Sequence, residues 1–175
     1  MSKRGIPTFG CAVRRFDTPI GRMTVVASRL GLHEVCLPPE EYLPVCFGEC
    51  TDARAAEIAT QAEREILEYL AGRRREFTVP VDLGPMPSFR EKVMRELARV
   101  PYGETVTYAD LAARAGSPGA ARAVGNAMAG NPFPLVLPCH RVLASGGRLG
   151  DYGGGVDLKR RLLELEGRPS GEGRK

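Results

Sequence analysis

Cys139 and His140 stand side by side in the run Asn131-Pro132-Phe133-Pro134-Leu135-Val136-Leu137-Pro138-Cys139-His140-Arg141-Val142. A cysteine reacts as its thiolate, and a nearby imidazole is the commonest means of forming one. The pair therefore offers a nucleophilic sulfur. Against it stands the usual fate of a single cysteine, an inert thiol in the core. Two further readings of the residues stay open: a redox or alkylation sensor, and a Cys-His hydrolase that turns over repeatedly. A second group, His33-x2-Cys36 followed by Cys46-x3-Cys50, has ligand types suited to zinc at an unusual spacing. The same thiols also read as buried or surface cysteines, or as a disulfide among Cys36, Cys46 and Cys50. No resident metal is assigned.

The elements that must hold these residues fall into two halves. Residues 11–37 alternate as strands over Cys11–Phe16, Met23–Ala27 and Leu32–Leu37, with turns at Pro19-Ile20-Gly21 and Arg29-Leu30-Gly31. Residues 52–71 read as an amphipathic helix capped by Asp52, with Ala56, Ile58, Ala59, Ala62, Ile66, Tyr69 and Leu70 inward and Gly72 as its stop. Phe77–Val81 reads as a further strand. Gly84-Pro85-Met86-Pro87 is the linker candidate, which places one domain at 1–84 and a second at 85–167, with a disordered polar tail at 168–175.

The second half changes to short helices. Ser88 is the expected cap of a helix with Phe89, Val93, Met94, Leu97 and Val100 on one face. Thr107 caps the next, with Asp110 placed to complete a capping box. Ser117 is the expected cap of a third, with Pro118 at its first position and Ala120–Ala129 as its body. Two short helices joined by a Gly-containing turn form a helix-turn-helix pattern. A hairpin over Val142–Leu149 and a glycine-rich loop from Gly150 to Gly155 follow. A last helix, about Asp157–Glu166, turns Leu158, Leu162, Leu163 and Leu165 inward. The expected fold class is α+β, with a sheet-plus-helix domain followed by a winged-helix domain.

The chain has 175 residues, 43% apolar and 26% charged, as in a globular protein with a real core. No apolar run approaches the roughly 20 residues that span a bilayer, and Met1–Pro7 lacks the apolar stretch of a secretory signal. A cytoplasmic location, or a nuclear one in a eukaryote, with reduced thiols is expected. The net charge of +4 is uneven, −1 over residues 1–84 and +5 over 85–175. The excess fits a polyanionic partner as well as an ordinary basic surface.

The second half resembles the O6-alkylguanine-DNA alkyltransferase family. The resemblance rests on Pro101-Tyr102-Gly103-Glu104, Tyr108, Ala121-Arg122-Ala123-Val124-Gly125, Gly130-Asn131-Pro132, Pro138-Cys139-His140-Arg141-Val142, Gly150-Asp151-Tyr152-Gly153-Gly154-Gly155 and Leu162-Leu163-Glu164-Leu165-Glu166-Gly167. Several ordered motifs at family spacing are more specific than any one of them. The first half matches more weakly, through Asp17-Thr18-Pro19-Ile20-Gly21 and Gly31-Leu32-His33-Glu34-Val35. Met94 stands where the family commonly carries tryptophan, which alters core packing. Ser28 replaces a cysteine of the zinc site that some members have.

The resemblance implies an N-terminal ribonuclease H-like domain and a winged-helix domain that repairs DNA. Cys139 would accept an alkyl group from O6-alkylguanine, and O4-alkylthymine would be a second substrate. His140 would take the thiol proton through a water, Glu166 would orient His140, and Asn131 would bridge the segments around the cysteine. Arg122 would enter the duplex and fill the gap left by the extruded base. Ala121, Ala123 and Gly125 would let their helix approach the minor groove. Tyr108 would bond the base and crowd the phosphate. Met128, Tyr152 and Gly154 would line the alkyl pocket, and backbone groups of Cys139, Val142 and Ser145 would read the guanine edge. A monomer acting once per molecule, with double-stranded DNA as partner and no cofactor, is the implied unit. A lesion-binding relative that lacks the cysteine is the nearest competitor, and Cys139 argues against it.

Overall fold

The computed structural model describes residues 10–39 and 52–168, which belong to two compact units divided in sequence between Gly84 and Pro85. In the first, β1 (Ala12–Thr18), β2 (Gly21–Ser28) and β3 (Gly31–Cys36) form an antiparallel meander with β2 in the middle. Phe16 faces Met23 and Val25 faces Val35 across it. The two tight turns fall where glycine and proline break the alternation.

Helix α1 (Ala53–Leu70) packs on all three strands. The Asp52 side chain accepts from the Ala55 amide at 3.1 Å, satisfying an amide that the first turn leaves without a partner. The buried apolar positions of α1 are Ala55, Ile58, Ala59, Ala62, Ile66 and Tyr69, repeating at three and four. Ala56, expected inward, is exposed, because Ala55 and not Ala56 stacks above Ile58 and Ala59.

Residues 77–81 run extended but form no ladder. They reach β3 through one parallel bridge at Leu32–Val81, where Leu32 N donates to Pro80 O at 2.7 Å. Gly31 permits that approach, since a Cβ there would sit 2.7 Å from the Asp82 nitrogen. The ladder is lost because Glu65, fully buried on α1, takes the Thr78 amide at 2.8 Å and the Val79 amide at 3.1 Å. Pro80 has no amide to offer. Burial pushes the Glu65 carboxyl upward, but bonds from Gln61, Thr78 and Val79 outweigh it and hold its pKa below 4.5. Glu65→Ala leaves these buried donors unpaired and costs about 3 kcal/mol in urea unfolding. The stabilisation is present above pH 4.5 and is lost as the pH falls through the lower folded value.

The expectation of reduced thiols fails at Cys11, a buried residue at the entrance to β1 that is disulfide-bonded. Cys46 and Cys50 lie outside the described residues. Among the described residues no three His, Cys, Asp or Glu side chains cluster as metal ligands, and no helix is long and apolar enough to cross a membrane.

In the second unit, α2 (Ser88–Ala98) buries Val93, Met94 and Leu97. Its cap is Pro87, whose carbonyl accepts the first helical bond from Glu91, so Ser88 is already helical and does not cap. Helix α3 (Tyr108–Arg114) starts with the full capping box of Thr107 and Asp110. Ser117 does not cap α4 (Ala121–Ala129) either. Ser117 to Ala120 form a turn closed by Ala120 N to Ser117 O at 3.1 Å, with Pro118 second and Gly119 at φ 87. That left-handed third position is the type II signature and cannot be helical.

The expected hairpin over 142–149 is also replaced. β5 (Val142–Leu143) pairs in parallel with β4 (Val106–Thr107), while residues 144–148 form a loop closed by Ala144 N to Arg148 O. Gly146 and Gly147, both at positive φ, coil the chain there and leave no second strand. Helix α5 (Val156–Leu165) turns Leu158, Lys159, Leu162 and Leu163 inward. Arg168 is held beyond it by bonds to Gly103 O and Thr105 Oγ1. Residues 169–175 of the expected tail lie outside the described residues. The expected α+β class is the one observed.

Candidate active site

The segment before the cysteine is clamped by Asn131. Its Nδ2 donates to Leu137 O at 2.9 Å, and its Oδ1 accepts from Phe133 N at 3.0 Å. Between them Leu135 sits at φ 73, a left-handed conformation that a branched residue adopts only under constraint. Asn131→Ala removes both buried bonds and the constraint. A loss of about 2–3 kcal/mol is expected, read as a lower urea midpoint.

Residues Cys139–Arg141 form a single 3-10 turn, not the extended chain that would point neighbours oppositely. Successive side chains of a 3-10 turn still diverge by about 120°. Cys139 lines a cavity of about 660 Å³, while His140 is fully buried behind it.

His140 Nε2 meets Glu166 Oε1 at 2.9 Å. Glu166 follows the last turn of α5 and gathers further donors. Arg141 reaches both of its oxygens, at 2.8 Å and 3.0 Å, and the Gly103 amide donates at 3.0 Å. Arg141 also donates to Val100 O at 2.6 Å, just beyond α2. Burial lowers the His140 pKa below 6.5. Glu166 pulls it upward, and Arg141 and Lys159 push it down again. The imidazole is therefore neutral at neutral pH and able to accept a proton. Since the unfolded chain protonates first, stability falls as the pH drops below 6.5, an effect to be read by urea unfolding above and below that value.

The cavity is walled by α3, α4 and the glycine-rich loop. Tyr108, Ala121, Arg122, Gly125, Met128, Ser145 and Tyr152 all line it with Cys139. Burial raises the Tyr108 pKa, with Cys139 and Asp151 adding to the rise, so its hydroxyl stays a donor. Arg122 is exposed at the start of α4. Two expected pocket positions do not line it: Val142 is buried in β5, and Gly153 takes the wall place expected for Gly154. Asn131 bridges the segment before Cys139, and Ala123, expected on the DNA side of its helix, is exposed.

Sequence reasoning gave no role to Arg141, Arg148, Asp151, Asn126 or Lys159. Lys159 had a signal. It stands with Leu162, Leu163 and Glu166 at i, i+3, i+4 and i+7, so both charged residues lie on the apolar stripe of α5. Arg148, Asp151 and Asn126 also line the cavity; only the loop's path could have placed the first two, whereas Asn126 follows Arg122 by one turn of α4.

Comparison with known proteins gives a consistent match. The DNA-binding domain of 6-O-methylguanine DNA methyltransferase matches residues 88–168, and its ribonuclease-like domain matches residues 13–83. A methylated-DNA–protein-cysteine methyltransferase of Mycolicibacterium paratuberculosis is 40% identical, with 90% of this chain and 93% of that protein covered. One from Homo sapiens is 35% identical, over 93% of this chain and 84% of that protein. A crystal structure of Mycobacterium tuberculosis OGT in complex with DNA superposes with a TM-score of 0.77 at 36% identity, covering 90% of this chain and 94% of that one.

Proposed function

This chain belongs to the 6-O-methylguanine DNA methyltransferase family, and from that premise we propose that Cys139 is its alkyl acceptor. The activity is DNA repair by transfer of an alkyl group to cysteine, and DNA is the partner. One observation carries the assignment of the acceptor: the Cys139 thiol opens on the cavity beneath a helix of small residues, with the His140–Glu166 pair behind it.

The reaction follows from the geometry. An O6-alkylguanine buried in a duplex cannot reach the cavity, so it leaves the stack and enters it. Arg122 is exposed at the cavity mouth and suited to fill the vacated place. Ala121 and Gly125 leave α4 thin enough to lie in the minor groove, and phosphate contacts suit a lesion found in any sequence. The thiol proton passes through a water to neutral His140, whose charge Glu166 then balances. The sulfur attacks the alkyl carbon, the S–C bond forms as the C–O bond breaks, and the electron pair remains on guanine. Tyr108, held protonated, donates to the base. The thioether does not reverse, so each molecule acts once.

The substrate is read as double-stranded DNA carrying O6-alkylguanine, with O4-alkylthymine second. The acting unit is read as a monomer, since thiol, pocket and Arg122 all belong to one unit of one chain; the cytoplasm, or the nucleus of a eukaryote, is the proposed location.

Peptide mass spectrometry after mixing the protein with a duplex containing O6-methylguanine tests the reading. Stoichiometric gain of one methylene on the Cys139 peptide supports it. Methylation at another cysteine, or none, overturns it.

A further inference from the structure

Arg90 lies half-buried on the first turn of α2, the helix that packs on both α3 and α4. Its Nη2 donates to the carbonyl of Gly130, 40 residues on in the chain. Gly130 ends α4, and the last carbonyls of a helix have no partner within it. A cation is favoured at that negative end. Among the described residues no carboxylate competes for the guanidinium. Its Nε is buried and unbonded, and the neighbouring Glu91 is held by Arg95 at 2.7 Å. The side chain is committed to one backbone carbonyl.

That carbonyl stands at a junction. On one side α4 walls the cavity with Arg122, Gly125 and Met128. On the other, Asn131 opens the segment that leads to Cys139. The Asn131 amide bonds back to Met128 O at 3.1 Å, and its side chain spans Phe133 to Leu137. Gly130 fits the same arrangement. Its φ of −91 is open to any residue, so the backbone does not require glycine there. A Cβ would sit 2.8 Å from Arg90 Nη2, with Arg90 Cζ and Asn126 O both at 3.4 Å. The absent side chain leaves room for the guanidinium.

We propose that Arg90 is a positioning residue for base delivery: by tying the Gly130 junction to α2, it sets where α4 and Arg122 stand relative to Cys139. The proposal rests on Cys139 being the acceptor and on α4 facing the duplex. The proton transfer stays with His140 and Glu166, and Arg90 touches neither the thiol nor the base. A shift of about 1 Å far from the reacting atoms can cost 10²-fold in rate. Loss of this one tie, with the Asn131 clamp intact, is expected to cost about tenfold.

The test follows three quantities in the parent, Arg90→Met, Gly130→Ala and the double variant. They are single-turnover methyl transfer from a saturating O6-methylguanine duplex, gel-shift affinity for that duplex, and iodoacetamide alkylation of the Cys139 peptide without DNA. In Arg90→Met the saturated transfer rate falls about tenfold, while affinity and the iodoacetamide rate stay at the parent values. Gly130→Ala displaces the guanidinium and gives the same fall. The double variant is no slower than either single one, because both remove the same bond. A parent transfer rate in Arg90→Met overturns the proposal, as do additive losses in the double variant. A matching change in the iodoacetamide rate marks a general loosening of the site and overturns it too. Weaker affinity with an unchanged saturated rate would make Arg90 a DNA contact instead. If Arg90→Met does not fold, Gly130→Ala decides alone, and a parent rate there overturns the proposal. A parent protein that gains no methyl group on Cys139 overturns the acceptor reading, and this inference with it.

Discussion

Cys139→Ser abolishes methyl transfer while leaving binding of the methylated duplex in place. The substitution exchanges one atom at a position that is 7% exposed, so packing is nearly unchanged. The chemistry is not. A thiol needs only modest help to ionise, whereas a serine hydroxyl needs a strong base. His140 is a weak base here, because burial holds its pKa below 6.5. A loss on the order of 10⁴-fold or more is expected, the range seen when an enzyme loses its nucleophile. Radiolabelled methyl groups are followed from duplex to protein, with a gel shift on the same duplex as the binding control. Label arriving on the serine variant would place the acceptor at another cysteine. Loss of the gel shift would mean that the substitution damaged the pocket.

Glu166→Gln has the second largest effect, and it acts on stability and rate together. The carboxylate, on a fully buried side chain, receives His140, the two-pronged Arg141 and the Gly103 amide. A glutamine has one acceptor oxygen for these donors and leaves the Arg141 charge buried without its counterion. Breaking such a pair costs about 3–5 kcal/mol. Transfer slows as well, because the imidazolium that forms on taking the thiol proton loses its anion. Pairing Glu166→Leu with Arg141→Met separates the two effects. Removing both charges restores much of the stability, since a buried pair is often replaceable by apolar side chains. The slow transfer remains. Denaturant midpoints and single-turnover transfer rates read the two effects. Full recovery of rate in the double variant would remove Glu166 from the chemistry.

Local signals were the legible part of this fold. The α1 stripe, the Asp52 cap and the Thr107–Asp110 capping box depend on residues within one or two turns; both caps formed as read, and the stripe differed at Ala56 and Leu70, which are not buried. The misreadings share a cause. Ser88 and Ser117 are good caps by type, but the preceding carbonyl at Pro87 and the left-handed Gly119 decided where those helices start. Residues 77–81 have strand character, but Glu65, a dozen residues earlier, took their amides. At the site, Cys139, His140 and Glu166 were reached through family resemblance. The spacing of 26 between His140 and Glu166 carries no local periodicity. Arg141 and Lys159 were missed because their partners include the backbone carbonyls of Val100, Val142 and Leu149. A carbonyl is the same whatever residue bears it, so no pattern of side chains announces such a bond.

The point where Glu166 meets His140, Arg141 and Gly103 joins the end of α5 to the region just after α2. The second unit thus closes on itself at its reacting centre. During synthesis the thiol emerges 27 residues before the carboxylate that completes its proton acceptor. Until α5 has docked, Cys139 lacks both the Glu166-backed imidazole and the shaped cavity. A partly made or partly unfolded molecule therefore carries a quiet cysteine. The cysteine is armed only once the last of the described helices is in place.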